Sequence, residues 1–287
     1  MIVSAGVSKA VKRGGVLTGI VALAWLVACP ALPRTAGAET QWFSGTERAL
    51  PFLIALPQDT GIRSGWGYAD SEDWVWDFTI GTDISLWQFR SPARLHTLTS
   101  RFVIFSRFQY NSESFDLWGS DFCGGAAYGV RGTRGAFDLF VYHESSHLGD
   151  EVLDRGEVKR RDVSVNGVRL LGYRSWRESI GAYGGVSAQP LGDPDTLSSY
   201  GFHLGGQVTR LPPFHRGFLA ADTQWWEWRD WSPDVTVQIG SSISSGNIGA
   251  PIPTSRLFLE FYAGRVYPGQ YWDRTELHAL IGLAHNW

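Results

Sequence analysis

The 287-residue chain carries 25 Lys and Arg against 28 Asp and Glu, a formal net charge of −3. Four of those bases (Lys9, Lys12, Arg13, Arg34) stand in the first 38 positions without an acid, so the remainder holds 25 − 4 = 21 basic against 28 acidic residues, a net of −7. An acidic chain lacks the basic stripe that nucleic acid requires, and with Cys123 as the one cysteine beyond residue 38 a disulfide scaffold is excluded.

The first segment reads as a targeting signal. A basic start is followed by the apolar stretch Gly14 to Ala28, too short for a stable spanning helix, and then by Ala36-Gly37-Ala38, a small-residue cleavage pattern. Cleavage after Ala38 leaves 39–287 as one domain. Leu26-Val27-Ala28-Cys29 offers a second reading, a lipoprotein box with Cys29 acylated.

After residue 38 no apolar run approaches the ~20 residues of a membrane helix. Segments of strand length recur instead, rich in aromatic residues and Gly and separated by turn chemistry. Twelve are expected, at 61–69, 74–89, 96–110, 115–130, 134–146, 161–174, 177–189, 198–210, 217–229, 234–242, 256–266 and 273–287. A chain of such strands spans a bilayer by closing into a barrel, which leaves no backbone edge unpaired. The fold class expected is therefore all-β, an antiparallel transmembrane barrel of about twelve strands.

The connections fit a barrel with short turns at one end and long loops at the other. Arg90–Arg94, Gly132-Thr133 and Ser175-Trp176 are short, whereas His147–Arg160 and Pro190–Leu197 are long. Ile243–Ser255 breaks the rule, being long on the short-turn side, so the strand count is weakest there. Asn166-Gly167 has hairpin chemistry, but apolar residues continue on both sides, and one unbroken strand is expected. Trp225, Trp226, Trp228 and Trp231 suit an aromatic belt or a sugar-binding platform. Asp116, Asp138, Arg256, Glu260 and Glu276 fall on lumen faces, where they either plug the interior with ion pairs or line a pore. In the last strand Leu277, Ala279, Ile281, Leu283 and Trp287 share one face. Glu276, His278, Gly282 and Asn286 share the other, with Leu280. A period-two strand ending in an aromatic resembles the signal read by the barrel-assembly machinery, although His285 departs from the usual apolar residue.

The densest reactive group is Tyr142-His143-Glu144-Ser145-Ser146-His147-Leu148-Gly149-Asp150-Glu151, at the end of the fifth strand. Phe137, Leu139 and Val141 form the better lipid face, because Asp138 is costly there. Extending the period puts His143 and Ser145 on the lipid side at the outer rim and Glu144 and Ser146 in the lumen.

Together with Phe52–Pro57, Phe108–Asn111 and Ser114–Leu117, this block resembles an uncharacterised bacterial family of exported barrel-like proteins, a domain of unknown function. The resemblance brings no activity with it. His143-Glu144-Ser145 is similar, more locally, to outer-membrane phospholipase A and the lipid A deacylase. These place a His and a Ser two residues apart on one lipid-facing strand, with a third polar residue on the neighbouring strand. The resemblance implies Ser145 as nucleophile and His143 as base, with outer-membrane phospholipid and lipopolysaccharide as partners. A carboxylate or amide then orients the imidazole. Glu157 is preferred, with Asp154 and Asp162 as alternatives. Ser146 stands where those enzymes typically have Asn, which puts the oxyanion arrangement in doubt.

Two other readings compete. The function expected first is a structural or permeation barrel in the outer membrane, with the block as an extracellular rim that braces its mouth, and the acyl-hydrolase is the alternative to it. Asp150, Glu151 and Asp154 suit Ca²⁺ by oxygen chemistry, without calcium-loop spacing. Zinc on His143 and His147 lacks a third ligand fixed by spacing.

Overall fold

The computed structural model describes residues 38–43, 45, 47–71, 73–110, 114–156, 159–211, 216–243, 255–267 and 269–287. The proposed signal and Cys29, Glu157, and most of the 243–255 connection lie outside the described residues.

Thirteen strands form one antiparallel sheet. They are β1 (39–42), β2 (61–69), β3 (73–90), β4 (95–110), β5 (115–131), β6 (135–148), β7 (163–177), β8 (180–193), β9 (199–211), β10 (217–226), β11 (233–242), β12 (255–265) and β13 (275–285). Each of β2 to β13 pairs with the next in sequence, and β13 returns to β2 through His278↔Ala69 to His285↔Ile62. The result is a closed barrel of twelve strands. The thirteenth, β1, extends the line of β2 along the end of β3, with Trp42 opposite Trp87. The sequence reading did not include it. The expected strand ends are met closely, and the suspected miscount is resolved: β11 and β12 pair directly from Val235↔Ala263 to Ser242↔Arg256, so no strand is missing between them.

Burial alternates residue by residue because the pleat sends successive side chains to opposite faces. In β13 the exposed set is Leu277, Ala279, Ile281 and Leu283, and the buried set Glu276, His278, Leu280, Gly282 and Ala284. The outward face is a band of Ile, Leu, Val and Phe bounded by aromatic residues at both ends. Trp66, Tyr68, Trp74, Tyr110 and Phe115 mark the upper edge, taken as the end bearing the 149–162 and 266–274 loops. Trp42, Phe137, Trp176 and Trp287 mark the lower edge. Trp225 and Trp231 stack on Phe202 at the upper edge, as a belt requires, but Trp226 is buried. No described helix is long and apolar enough to cross a membrane, which has no bearing on strands.

The lumen is filled by two devices. The first is a network of ion pairs. Arg107 binds Asp77 at 2.6 Å and Glu276 at 2.6 Å, and Arg101 binds Asp83 at 2.7 Å and Asp138 at 2.9 Å. Arg63 pairs with Glu260, and beside these ion pairs Arg256 donates a hydrogen bond to Asn286 Oδ1. The second is the segment between β1 and β2, which the strand pattern did not foresee. It folds up inside the barrel. Leu50, Leu53 and Leu56 pack on Leu171 and Tyr183, while Ile54 and Ala55 pack on Phe218, Phe258 and Ala284. Inside a polar lumen its backbone needs partners. Gln207 supplies them: Ile54 N donates to its Oε1 at 3.0 Å, and its Nε2 donates to Phe52 O at 3.2 Å. Arg48 fastens the base to Asp59 and Asp83.

Candidate functional site at the upper rim of β6 and β7

β6 carries Phe137, Leu139, Val141, His143, Ser145 and His147 outward, and Tyr142, Glu144, Ser146 and Leu148 inward. From Phe137 at the lower girdle to Ser145 is 145 − 137 = 8 residues. At ~3.3 Å per residue and a ~40° tilt, that is about 20 Å of an apolar band about 25 Å tall. The pair therefore faces the apolar surround near its upper limit, as expected.

Four neighbouring positions complete the outward surface. On β5, Gly124 stands opposite His143 and Phe122 opposite Ser145. On β7, Asn166 stands opposite His143 and Ser164 opposite Ser145. His143 Nδ1 lies 3.1 Å from Asn166 Oδ1. A carbonyl oxygen only accepts, so Nδ1–H is the donor, and Nε2 is left outside this contact. Ser145 Oγ makes no hydrogen bond among the described residues. It shares the face of His143 at i+2, about 6.6 Å along the strand, and a change of χ1 rotamer re-aims its hydroxyl.

Among the described residues the hydrogen-bond partner of His143 is thus an amide on the adjacent strand, while Glu157 lies outside them. Asp154 lies on the exposed helix α1 (150–154) and Asp162 is exposed at the start of β7. Neither bonds His143 among the described residues. Asn166 was noticed in the sequence only as half of an Asn-Gly dipeptide, and the strand does continue through it. The readable signal was on the lipid face of β7, where Ser164 and Asn166 are polar before Val168 and Leu170 restore the apolar pattern.

The inward half of the block is structural. Tyr142 hydroxyl accepts from Gln189 Nε2 at 3.0 Å. Glu144 accepts from Gln58 Nε2 at 3.3 Å, which ties the inner segment to β6. Ser146 does not stand in for an oxyanion donor, because its hydroxyl points inward and accepts from Gln270 N at 2.9 Å. Gln270 belongs to the 266–274 loop, which folds over the upper mouth; Gly269 N donates to Asp121 and Tyr271 stacks on Trp118 at 3.8 Å. Gly149 is needed for close approach, since a Cβ there falls 1.7 Å from Leu117 O. His147 is outward, edge-on to Phe122 at 5.6 Å.

The metal readings gain no ligand set. Asp150 and Glu151 open α1 and are exposed, as is Asp154, and no group of three His, Cys, Asp or Glu suited to a metal occurs among the described residues.

Solved structures of similar fold are outer-membrane barrels. Outer membrane phospholipase A from Escherichia coli aligns with a TM-score of 0.58 and 13% identity, over 80% of this chain and 97% of that one. The Salmonella typhi outer membrane phospholipase dimer with bound calcium gives 0.57 and 14%, over 84% and 95%. An active-site asparagine-to-alanine mutant of the Escherichia coli enzyme gives 0.56 and 15%, over 84% and 94%. At these identities the likeness is one of fold. No curated protein matches the sequence. The sequence itself places the chain more narrowly: a family model described as protein of unknown function (DUF1207) matches residues 89–286, from the end of β3 through β13, and the chain belongs to that family.

Proposed function

We propose that the protein is an outer-membrane lipid acyl-hydrolase, acting from the bilayer-facing wall of its barrel, with Ser145 as nucleophile, His143 as base and Asn166 as the residue that orients the base. The observation that carries the proposal is the His143–Asn166 hydrogen bond at 3.1 Å, made on the outward face beside Ser145. Polar groups on a lipid-facing wall are costly, and a His, a Ser, an Asn and a second Ser at four mutually paired positions need a reason beyond the fold. The Escherichia coli phospholipase of similar fold also has an asparagine in its active site.

The chemistry follows from the positions. Ser145 Oγ attacks the ester carbonyl carbon as its proton passes to His143 Nε2. Asn166 Oδ1 holds Nδ1–H and so keeps the neutral imidazole in the tautomer that accepts at Nε2. Collapse of the tetrahedral adduct expels the alcohol, which takes the proton back from His143 and leaves an acyl-serine. Water, deprotonated by the same nitrogen, then releases the fatty acid. Ser164, paired with Ser145 on the same face, is the hydroxyl placed to donate to the developing oxyanion. A substrate ester reaches this wall by lateral diffusion within the lipid layer. In this assignment the upper rim faces the outer leaflet, consistent with short periplasmic turns and long outer loops.

The filled lumen argues against permeation as the role. The test is release of fatty acid from phospholipid and from lipopolysaccharide in detergent micelles. Wild type releases it and Ser145→Ala does not; equal release by both removes the proposal.

A further inference from the structure

The 149–162 loop ends in Lys159-Arg160-Arg161, and Lys159 is the only lysine after residue 12. Most cations of the upper rim are already engaged. Arg155 is held by Asp116, Arg161 by Asp273 at 2.8 Å, and Arg229 and Arg265 by Asp234. Lys159 and Arg160 are exposed and have no ion pair or hydrogen bond among the described residues. They stand next to Arg161 on a chain whose net charge after residue 38 is −7.

Their place is fixed relative to the nucleophile. Arg160 lies four residues before Ser164, the partner of Ser145, hence no more than about 14 Å of backbone away. One buried side chain locks this spacing. Gln270 accepts from Arg161 N at 3.1 Å and donates through Nε2 to Arg161 O at 2.8 Å and Ser146 O at 2.7 Å. It thereby fastens the residue after Arg160 to the residue after Ser145. Arg161 adds its own bridge to Asp273 on the same loop. The backbone next to Arg160 is thereby tied to the strand that carries Ser145.

We propose that Lys159 and Arg160 bind the phosphate of an outer-leaflet lipid and so select phosphate-bearing lipids as substrates of the Ser145 site. Selection of a substrate rests on the hydrolase reading above; binding of the phosphate does not. Phospholipid and lipopolysaccharide share this chemistry, and the experiment separates them.

The full chain in non-ionic micelles is offered phosphatidylglycerol, lipopolysaccharide and an uncharged p-nitrophenyl acyl ester. Lipid retained by the protein is counted in parallel by native mass spectrometry. For the double variant Lys159→Ala/Arg160→Ala, the preference for the better phosphate-bearing lipid over the uncharged ester, as a ratio of kcat/KM, is expected to fall about thirtyfold. That lipid is also expected to be lost from the mass spectrum, and Lys159→Arg/Arg160→Lys to keep it. Whichever lipid shows the larger loss is the source. An unchanged ratio with unchanged retention overturns the proposal, as does an equal fall on all three substrates. If wild type cleaves none of them, the hydrolase reading fails; retention lost in the double variant then still upholds the phosphate site, and retention kept overturns it.

Discussion

Asn166→Ala tests the site without touching either reacting atom. The substitution removes one hydrogen bond, Nδ1–H of His143 to Oδ1 at 3.1 Å, from an intermediate-exposed position on the barrel wall. A neutral hydrogen bond of this kind contributes about 0.5–1.5 kcal/mol, and at 1.36 kcal/mol per factor of ten that is a roughly two- to thirteenfold loss. The upper end applies, because the bond also holds the tautomer that exposes a basic Nε2. We therefore expect kcat on a micellar ester to fall about tenfold with KM changed little, and the thermal unfolding temperature to stay within a degree or two. Asn166→Asp retains the acceptor and adds a negative charge beside the imidazole. It is therefore expected to keep more of the activity than Asn166→Ala does. Full activity in Asn166→Ala would refute the orienting role. A loss explained wholly by unfolding would refute the reasoning that gives its size.

Two further outcomes test the filled interior. Planar-bilayer recording of the whole protein should show no ion conductance, and regular opening steps would contradict a lumen closed by the inner segment and the 266–274 loop. Arg107→Met strands Asp77 and Glu276, both buried, without their cation. It is expected to cost about 3–5 kcal/mol in urea unfolding of the micelle-inserted barrel, and a cost under about 1 kcal/mol would show that the pairs do not brace the wall.

The barrel was legible because its information is local. Period two along β13, the apolar outward sets and the turn residues each declare themselves within about ten residues, and twelve such segments imply closure. The outward facing of His143 and Ser145 followed from the same period, with Asp138 fixing which face is inside. Asn166 was not legible by that route. Its contact depends on the register across a fourteen-residue connection, 149–162, whose length hides which β7 residue meets His143. Nearness in sequence offers Glu157, Asp154 and Asp162 instead, of which Glu157 lies outside the described residues. The inner segment was missed for a different reason. Leu50-Pro51-Phe52-Leu53-Ile54-Ala55-Leu56-Pro57 is apolar without a period, because it is surrounded on all sides by lumen and has no solvent face to alternate against. The lumen carboxylates were correctly placed, and the pairing of Glu260 with Arg63 and of Glu276 with Arg107 crosses the β13–β2 closure, which makes it a property of the closed barrel alone.

The central claim is that Ser145 is an activated nucleophile. The direct measurement is covalent labelling of the micelle-inserted protein with a lipophilic fluorophosphonate, followed by peptide mass spectrometry. The account predicts one phosphonylated residue, Ser145, with labelling abolished in Ser145→Ala and His143→Ala and slowed about tenfold in Asn166→Ala. Absence of label, or label on a different serine that persists in Ser145→Ala, would contradict it.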